Sequence, residues 1–183
     1  MKKGGAMNKR YALEKLYRRY VKSLYFYLYK LCGSESLAED LTQETFVRAT
    51  IHIHTYRDEE ARAWLFKVAR NVYLDEWRKQ QRFRKIPILS SLIKRAEPIS
   101  PYGLPEECLL EKELTEQLEG LLHYLPENYR SIIYLREYEQ FSYAEIMDAL
   151  QLTEDQVKVT LHRARKRLAQ LAVQKGWSYD AVE

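Results

Sequence analysis

Residues 141–171 read "FSYAEIMDALQLTEDQVKVTLHRARKRLAQL". This stretch decides the fold. It suggests a short helix, a tight corner and a longer helix whose far end is almost purely basic. Ser142-Tyr143-Ala144-Glu145 has the form of a capping box, in which the Ser oxygen accepts the third backbone N–H and the Glu reaches back to the cap. Thr153-Glu154-Asp155-Gln156 repeats the form with Gln in the Glu role. The two boxes bracket a helix of about eight residues. The corner, Gln151-Leu152-Thr153, has no glycine, so Gln151 is expected to adopt an adjusted backbone. Two readings are open at this point. One is a helix-turn-helix that reads DNA; the other is two packed helices with a solvated, charged end.

The longer helix separates its residues by face. Val157, Leu161, Ala164, Leu168 and Leu171 step by four, three, four and three and form the apolar seam. At about 100° per residue, Asp155, Val159, His162 and Lys166 point the other way. Lys158 and Arg165 flank one side of that strip, and Gln156 and Arg163 the other. Residues 156–175 hold six Lys and Arg and no acid. A helix that reads DNA needs side chains near its N-terminus to reach base edges and flanking cations to grip phosphates. The short capped helix ahead of it favours that reading over a solvated tail. His162 has no Cys or carboxylate at ligand spacing, and "IHIH" (His52, His54) marks a helix end better than a metal site.

Working outward, the rest of the chain is also helical. Leu13, Leu16, Tyr20, Leu24, Leu28 and Leu31 form one face of a helix that Gly33 stops. Ser36-Leu37-Ala38-Glu39 looks like another capping box and predicts a second helix over about 37–51. A third starts near Ala61, buries Trp64, Leu65, Val68, Ala69 and Val72, and continues as the basic "WRKQQRFRK". Residues 86–107 then hold four of the five prolines and lose helical periodicity. They are expected to be an extended linker. A second helical block opens with Leu110, Leu114, Leu118, Leu121 and Leu125, and Pro126 sits where the next helix begins. The predicted fold class is therefore all-α: two small helical domains, 7–85 and 108–175, joined by a linker at 86–107. Residues 1–6 are taken as a leader or expression remnant, and 176–183 as a tail.

Composition narrows the function. Hydrophobic residues make up 46% and charged residues 31%, with six Gly and five Pro in 183 residues. No apolar run approaches the roughly 18 residues of a membrane span, and no signal-peptide core is present, so a cytoplasmic location without membrane insertion is expected. Cys32 and Cys108 are distant in sequence and sit among apolar helical positions, which suits reduced thiols. No nucleophile–base constellation or Gly-rich phosphate loop is apparent, so a non-enzymatic protein with no cofactor and no metal is expected. The net charge of +4 hides an asymmetry. Residues 7–85 carry 17 Lys and Arg against 10 Asp and Glu; residues 108–183 carry 9 against 13.

Two further faces are candidates for binding. Asp40, Gln43, Glu44 and Val47 lie at i, i+3, i+4 and i+7, one polar and acidic face with a single apolar member. Lys67, Arg70, Asn71, Arg78 and Arg82 share a face of the third helix, with Tyr56, Tyr73 and Trp77 near them in sequence. Cations that track a backbone and rings that stack on bases suit single-stranded nucleic acid. Trp64 reads better as core.

"AEDLTQETFVRA" (38–49), "AWLFKVARNVYLDEWRK" (63–79) and "LPENYRSIIYLREYEQFSYAEIMDALQLTEDQVKVTLHRARKRL" (125–168) together resemble the extracytoplasmic-function (ECF) class of bacterial RNA polymerase sigma factors. The likeness spans about residues 11–172, and the three motifs in this order are far more specific than any one alone. It implies that the first block is sigma domain 2, which binds core RNA polymerase and opens the −10 element. The second block is then domain 4, a helix-turn-helix on the −35 element, and the linker threads the polymerase cleft. By this resemblance Asp40, Gln43, Glu44 and Val47 meet the polymerase clamp. Tyr56, Arg57, Lys67, Arg70, Asn71 and Arg78 serve the −10 element, with the loop from Thr55 to Glu60 holding a flipped base. Lys158, Val159 and His162 read −35 bases, with Arg163, Arg165 and Lys166 also on that DNA. An anti-sigma factor is the implied regulator. The chain departs from the class where "TYRDEE" is acidic and lacks glycine. It also departs at Val159 and Thr160, where a small polar and a basic residue are common; Val159 can only offer apolar contact, for example to a thymine methyl. A stand-alone DNA-binding regulator and a helical protein-binding adaptor are the alternatives.

Overall fold

Leu16, Tyr20, Leu24, Leu28 and Leu31 are all buried, together with Tyr27, and they form the inner face of helix α1 (Gly4–Cys32). The structure is a computed structural model that describes residues 4–52, 60–84 and 120–175. The expected linker, the tail, Cys108, Tyr56 and Arg57 lie outside the described residues. The chain divides into two units, Met1–Pro101 and Tyr102–Glu183.

In the first unit α1 packs against α2 (Glu35–His52) and α3 (Ala61–Arg84), which also pack on each other. The helix starts within the six residues expected to be a leader, well before the leucine pattern begins. Gly33 ends α1 with φ of 70°, the left-handed backbone that glycine adopts without penalty. The next helix follows at once, and its cap is Ser34, whose Oγ accepts the Leu37 N–H at 3.4 Å. The Ser36–Glu39 box expected there does not form the cap, because both residues already lie inside the helix. Thr42 and Thr45 are buried in α2 and donate their hydroxyls to the carbonyls of Ala38 and Leu41 at 2.6 and 2.7 Å. α3 contributes Trp64, Leu65, Phe66, Ala69, Val72 and Tyr73 to the core, and Tyr27 meets Phe66 with ring centroids 5.2 Å apart.

The second unit is built on α4 (Glu127–Ile133), α5 (Tyr143–Leu150) and α6 (Glu154–Gln174). α4 continues as one π turn, Tyr134–Tyr138. Arg130 fastens the chain before α4: its guanidinium donates to the carbonyls of Leu122, His123 and Leu125 at 2.9, 2.9 and 3.0 Å. α6 lies against both α4 and α5. The core joins Leu121, Leu122, Leu125, Ile132, Ile133 and Leu135 to Phe141, Ile146, Leu150, Val157 and Leu161. All described elements are helical, as the sequence led us to expect.

Candidate nucleic-acid and protein interfaces

The two capping boxes read from the sequence both form. Ser142 Oγ accepts the Glu145 N–H, and Glu145 accepts the Ser142 N–H at 2.8 Å. Thr153 Oγ1 accepts from Gln156, and Gln156 Oε1 accepts the Thr153 N–H at 2.9 Å. Between them Gln151 sits at φ 56° and ψ 48°, fully left-handed. The Leu152 N–H donates to the Met147 carbonyl at 3.1 Å, the six-to-one bond of a Schellman turn. The corner is therefore made by a strained Gln rather than by glycine. A second clamp holds its other side. Arg136 donates to the Phe141 carbonyl at 2.7 Å and lies over the Tyr143 ring at 5.4 Å.

This corner sets the angle at which α6 is presented. Val157, Leu161, Ala164 and Leu171 of α6 are buried, and Leu168 is half-buried. Lys158, Val159, His162, Arg163, Arg165 and Lys166 are all exposed, Val159 by 47%. Two of the cations are engaged. Lys158 Nζ is 2.6 Å from Glu154 Oε1, which holds the Glu154 carboxyl below its ordinary range and the ammonium above its own. Arg165 reaches across to the π turn, where Glu137 Oε1 accepts from Nη2 at 2.6 Å and Nε at 3.1 Å. Glu137 was not singled out in the sequence, since the pair joins residues 28 apart and depends on the π turn.

On α2, Asp40, Gln43, Glu44 and Val47 are exposed on one strip, as their spacing implies. The strip extends to Ile51, one turn further on and 63% exposed, so two large aliphatic groups stand among the polar ones. Arg48 borders it. Its guanidinium meets Glu44 at 2.8 Å and Asp75 of α3 at 2.9 Å, and both bonds favour its charged form.

On α3, Asn71, Arg78 and Arg82 are exposed, while Lys67 and Arg70 are half-buried. Arg78 lies 3.3 Å from Asp75. Of the aromatics expected beside them, Trp77 is exposed by 48% but Tyr73 is buried at 8% and belongs to the core. Tyr73 therefore offers no stacking platform: its position falls on the buried strip with Ala69 and Val72. Trp64 is core, as expected. Trp77 edges a cleft of about 140 Å³ that is also lined by Cys32, Leu37 and Gln80. Among the described residues no group of three His, Cys, Asp or Glu could hold a metal ion, and no helix is long and apolar enough to cross a membrane.

Comparison with known proteins places both units. The family model Sigma-70 region 2 matches residues 16–83, and Sigma-70, region 4 matches residues 115–168. The chain is 34% identical over 161 residues to the ECF RNA polymerase sigma factor SigM of Bacillus subtilis (strain 168), covering 87% of this chain and 94% of that protein. It is 30% identical over 163 residues to the RNA polymerase sigma factor YlaC of the same organism, covering 88% and 92%. The fold is similar to the sigma factor RpoE solved in complex with the anti-sigma factor NepR from Bartonella quintana. There the TM-score is 0.67 at 23% identity, over 86% of this chain and 94% of that one. It is also similar to CnrH solved in complex with the cytosolic domain of CnrY, with a TM-score of 0.63 at 22% identity over 90% of each chain.

Proposed function

The chain belongs to the ECF RNA polymerase sigma factors, and from that premise we propose how its surfaces divide the work of transcription initiation. The α2 strip docks on core RNA polymerase, α3 engages the −10 element as it opens, and α6 reads the −35 element. The protein works in the cytoplasm as an initiation factor rather than a catalyst. A dedicated anti-sigma factor holds it inactive; the similarly folded RpoE was solved with such a partner.

The observation that carries this reading is the α2 strip. Asp40, Gln43 and Glu44 lead along one strip into Val47 and Ile51, which are 60% and 63% exposed. An exposed aliphatic pair continuous with polar groups suits a protein interface, which combines apolar and polar contacts. A regulator acting on DNA alone has no use for it. On α6, Val159 and His162 stand on the outer strip in position to meet base edges, with Lys158 beside them once the DNA draws its ammonium away from Glu154. Arg163 and Lys166 are placed for phosphates. Val159 offers a base only an apolar contact, which favours a thymine methyl.

Replacing Gln43 and Glu44 together by Ala is expected to weaken binding to core polymerase by about tenfold or more, the loss of two polar contacts, one of them charged. In vitro transcription should fall in parallel, while duplex −35 binding by the free protein stays unchanged. Binding is measured by fluorescence anisotropy on labelled protein. Wild-type affinity for core polymerase in this variant removes α2 from the interface and returns the stand-alone regulator as the better account.

A further inference from the structure

The outer face of α1 is used by none of these assignments, yet its exposed charge is almost all positive. Leu16, Tyr20, Leu24, Tyr27, Leu28 and Leu31 fill its inner face. The opposite strip carries Tyr11, Lys15, Arg18, Lys22, Phe26 and Tyr29 at helical spacing. Tyr11 is 71% exposed and Phe26 38%. Lys15, Arg18, Arg19 and Lys22 are exposed. From Tyr11 to Cys32 the single acid is Glu14, and it is paired with Arg18 at 2.8 Å. At the end of the strip the Tyr25 and Tyr29 rings lie 7° from parallel with centroids 6.3 Å apart, and Phe26 meets Tyr25 edge-on at 5.4 Å.

We propose that this face binds single-stranded DNA: the lysines and arginines follow the phosphates, and Tyr11 and Phe26 stack on unpaired bases. Charge complementarity selects a polyanion, since nearly every charge on the strip is positive. The interleaved rings select unpaired bases over duplex, because stacking faces are open only in a single strand. The strip from Tyr11 to Tyr29 is about 27 Å long, which several nucleotides can follow. A membrane surface fits less well. An interfacial helix buries an apolar face opposite its basic one, and here that apolar face is already spent on α2 and α3. The inference stands apart from the roles given to α2, α3 and α6.

The test uses the full-length protein and a labelled oligothymidylate long enough to span the strip, read by anisotropy over a salt series. Lys15→Gln with Lys22→Gln is expected to weaken binding about tenfold at low salt. The log–log salt slope should become shallower by about 1.4, at about 0.7 per cation for a single strand. Tyr11→Ala with Phe26→Ala should also weaken binding about tenfold, with the slope unchanged. These positions are exposed, so circular dichroism should report a native fold. Both pairs should have the same effect when Lys67→Gln and Arg82→Gln have first removed part of the α3 contribution. Wild-type affinity and slope in the lysine variant overturn the proposal. So does equal binding of a duplex that ignores the aromatic variant, or of polyglutamate as tightly as the oligothymidylate, which would assign the face to acidic proteins. None of these outcomes alters polymerase or −35 binding, so failure here leaves the proposed function standing.

Discussion

Gln151 and Gln140 are both left-handed, with φ of 56° and 54°, a region that L residues other than Asn and Asp rarely visit. Their side chains differ. Both are exposed, but Gln140 Nε2 donates to the Glu137 carbonyl at 2.6 Å. Gln151→Gly should therefore stabilise the second unit by about 0.5 kcal/mol, relief of backbone strain less the extra entropy glycine brings to the unfolded chain. Gln140→Gly should gain less, because it also loses a hydrogen bond. Thermal melts of the two variants check the order. Glu137 poses a different question at the same scale. It holds Arg165, a residue expected on phosphate, in an exposed ion pair. Such pairs contribute under about 1 kcal/mol, so Glu137→Gln should leave the melting temperature nearly unchanged. Freed, Arg165 should make the salt dependence of −35 duplex binding steeper by up to about 0.9 in log–log slope. An unchanged slope would mean that Arg165 only braces the π turn. The strain at Gln151 was legible from the missing glycine. The Glu137–Arg165 pair was not, because it arises only once α6 has packed beside the π turn.

At the scale of elements, what could be read locally was read well. Ser142–Glu145 and Thr153–Gln156 are contacts within one turn, so the sequence contains all their parts. Ser36–Glu39 has the same form and misleads, because the left-handed Gly33 lets α2 begin immediately and Ser34 takes the cap. The π turn had no local signal. It coincides with two fasteners that reach outside the turn, Arg136 on the Phe141 carbonyl five residues on and Glu137 on the distant Arg165. The face of α2 was legible by spacing up to Val47, and Ile51 extends it by one more turn. Tyr73 shows the converse limit: nearness in sequence to a basic face does not put a ring on that face. The first turn of α6 makes a prediction about pH. Lys158 lowers the pKa of Glu154 from its ordinary 4.5, and a carboxylate at a helix N-terminus is favoured by the dipole in the same direction. A lowered folded pKa gives stability that is present above the ordinary value and lost as pH falls through the folded one. Glu154→Gln should therefore melt slightly below wild type near neutral pH, and the two curves should converge as pH drops below 4.5. A gap that persists in acid would place the effect in packing rather than charge.

For the molecule as a whole, the split into two helical blocks was visible because four prolines gather between residues 86 and 107. What each block does was less visible, since exposed charge alone cannot separate a solvated face from a binding one. The balance of charge adds a consequence. Residues 7–85 carry a net of +7 and residues 108–183 a net of −4, so the −35 reading helix is carried by the acidic part of the chain. Distant acids repel DNA without touching a base, lowering affinity for all sequences alike. Acids on the reading strip act by contact and discriminate. Asp148, exposed on α5, is of the first kind; Asp155, on the same strip of α6 as Val159 and His162, is of the second. Asp148→Asn should raise affinity for every −35 duplex by the same factor. That gain should fade in high salt, where the screening length shrinks from about 10 Å at 0.1 M to about 3 Å at 1 M. Asp155→Asn should instead change the order of preference and keep part of its effect in high salt. Anisotropy titrations over a panel of −35 duplexes at two salt concentrations separate the two. A panel reordered by Asp148→Asn would mean that α5, and not α6 alone, reaches the bases.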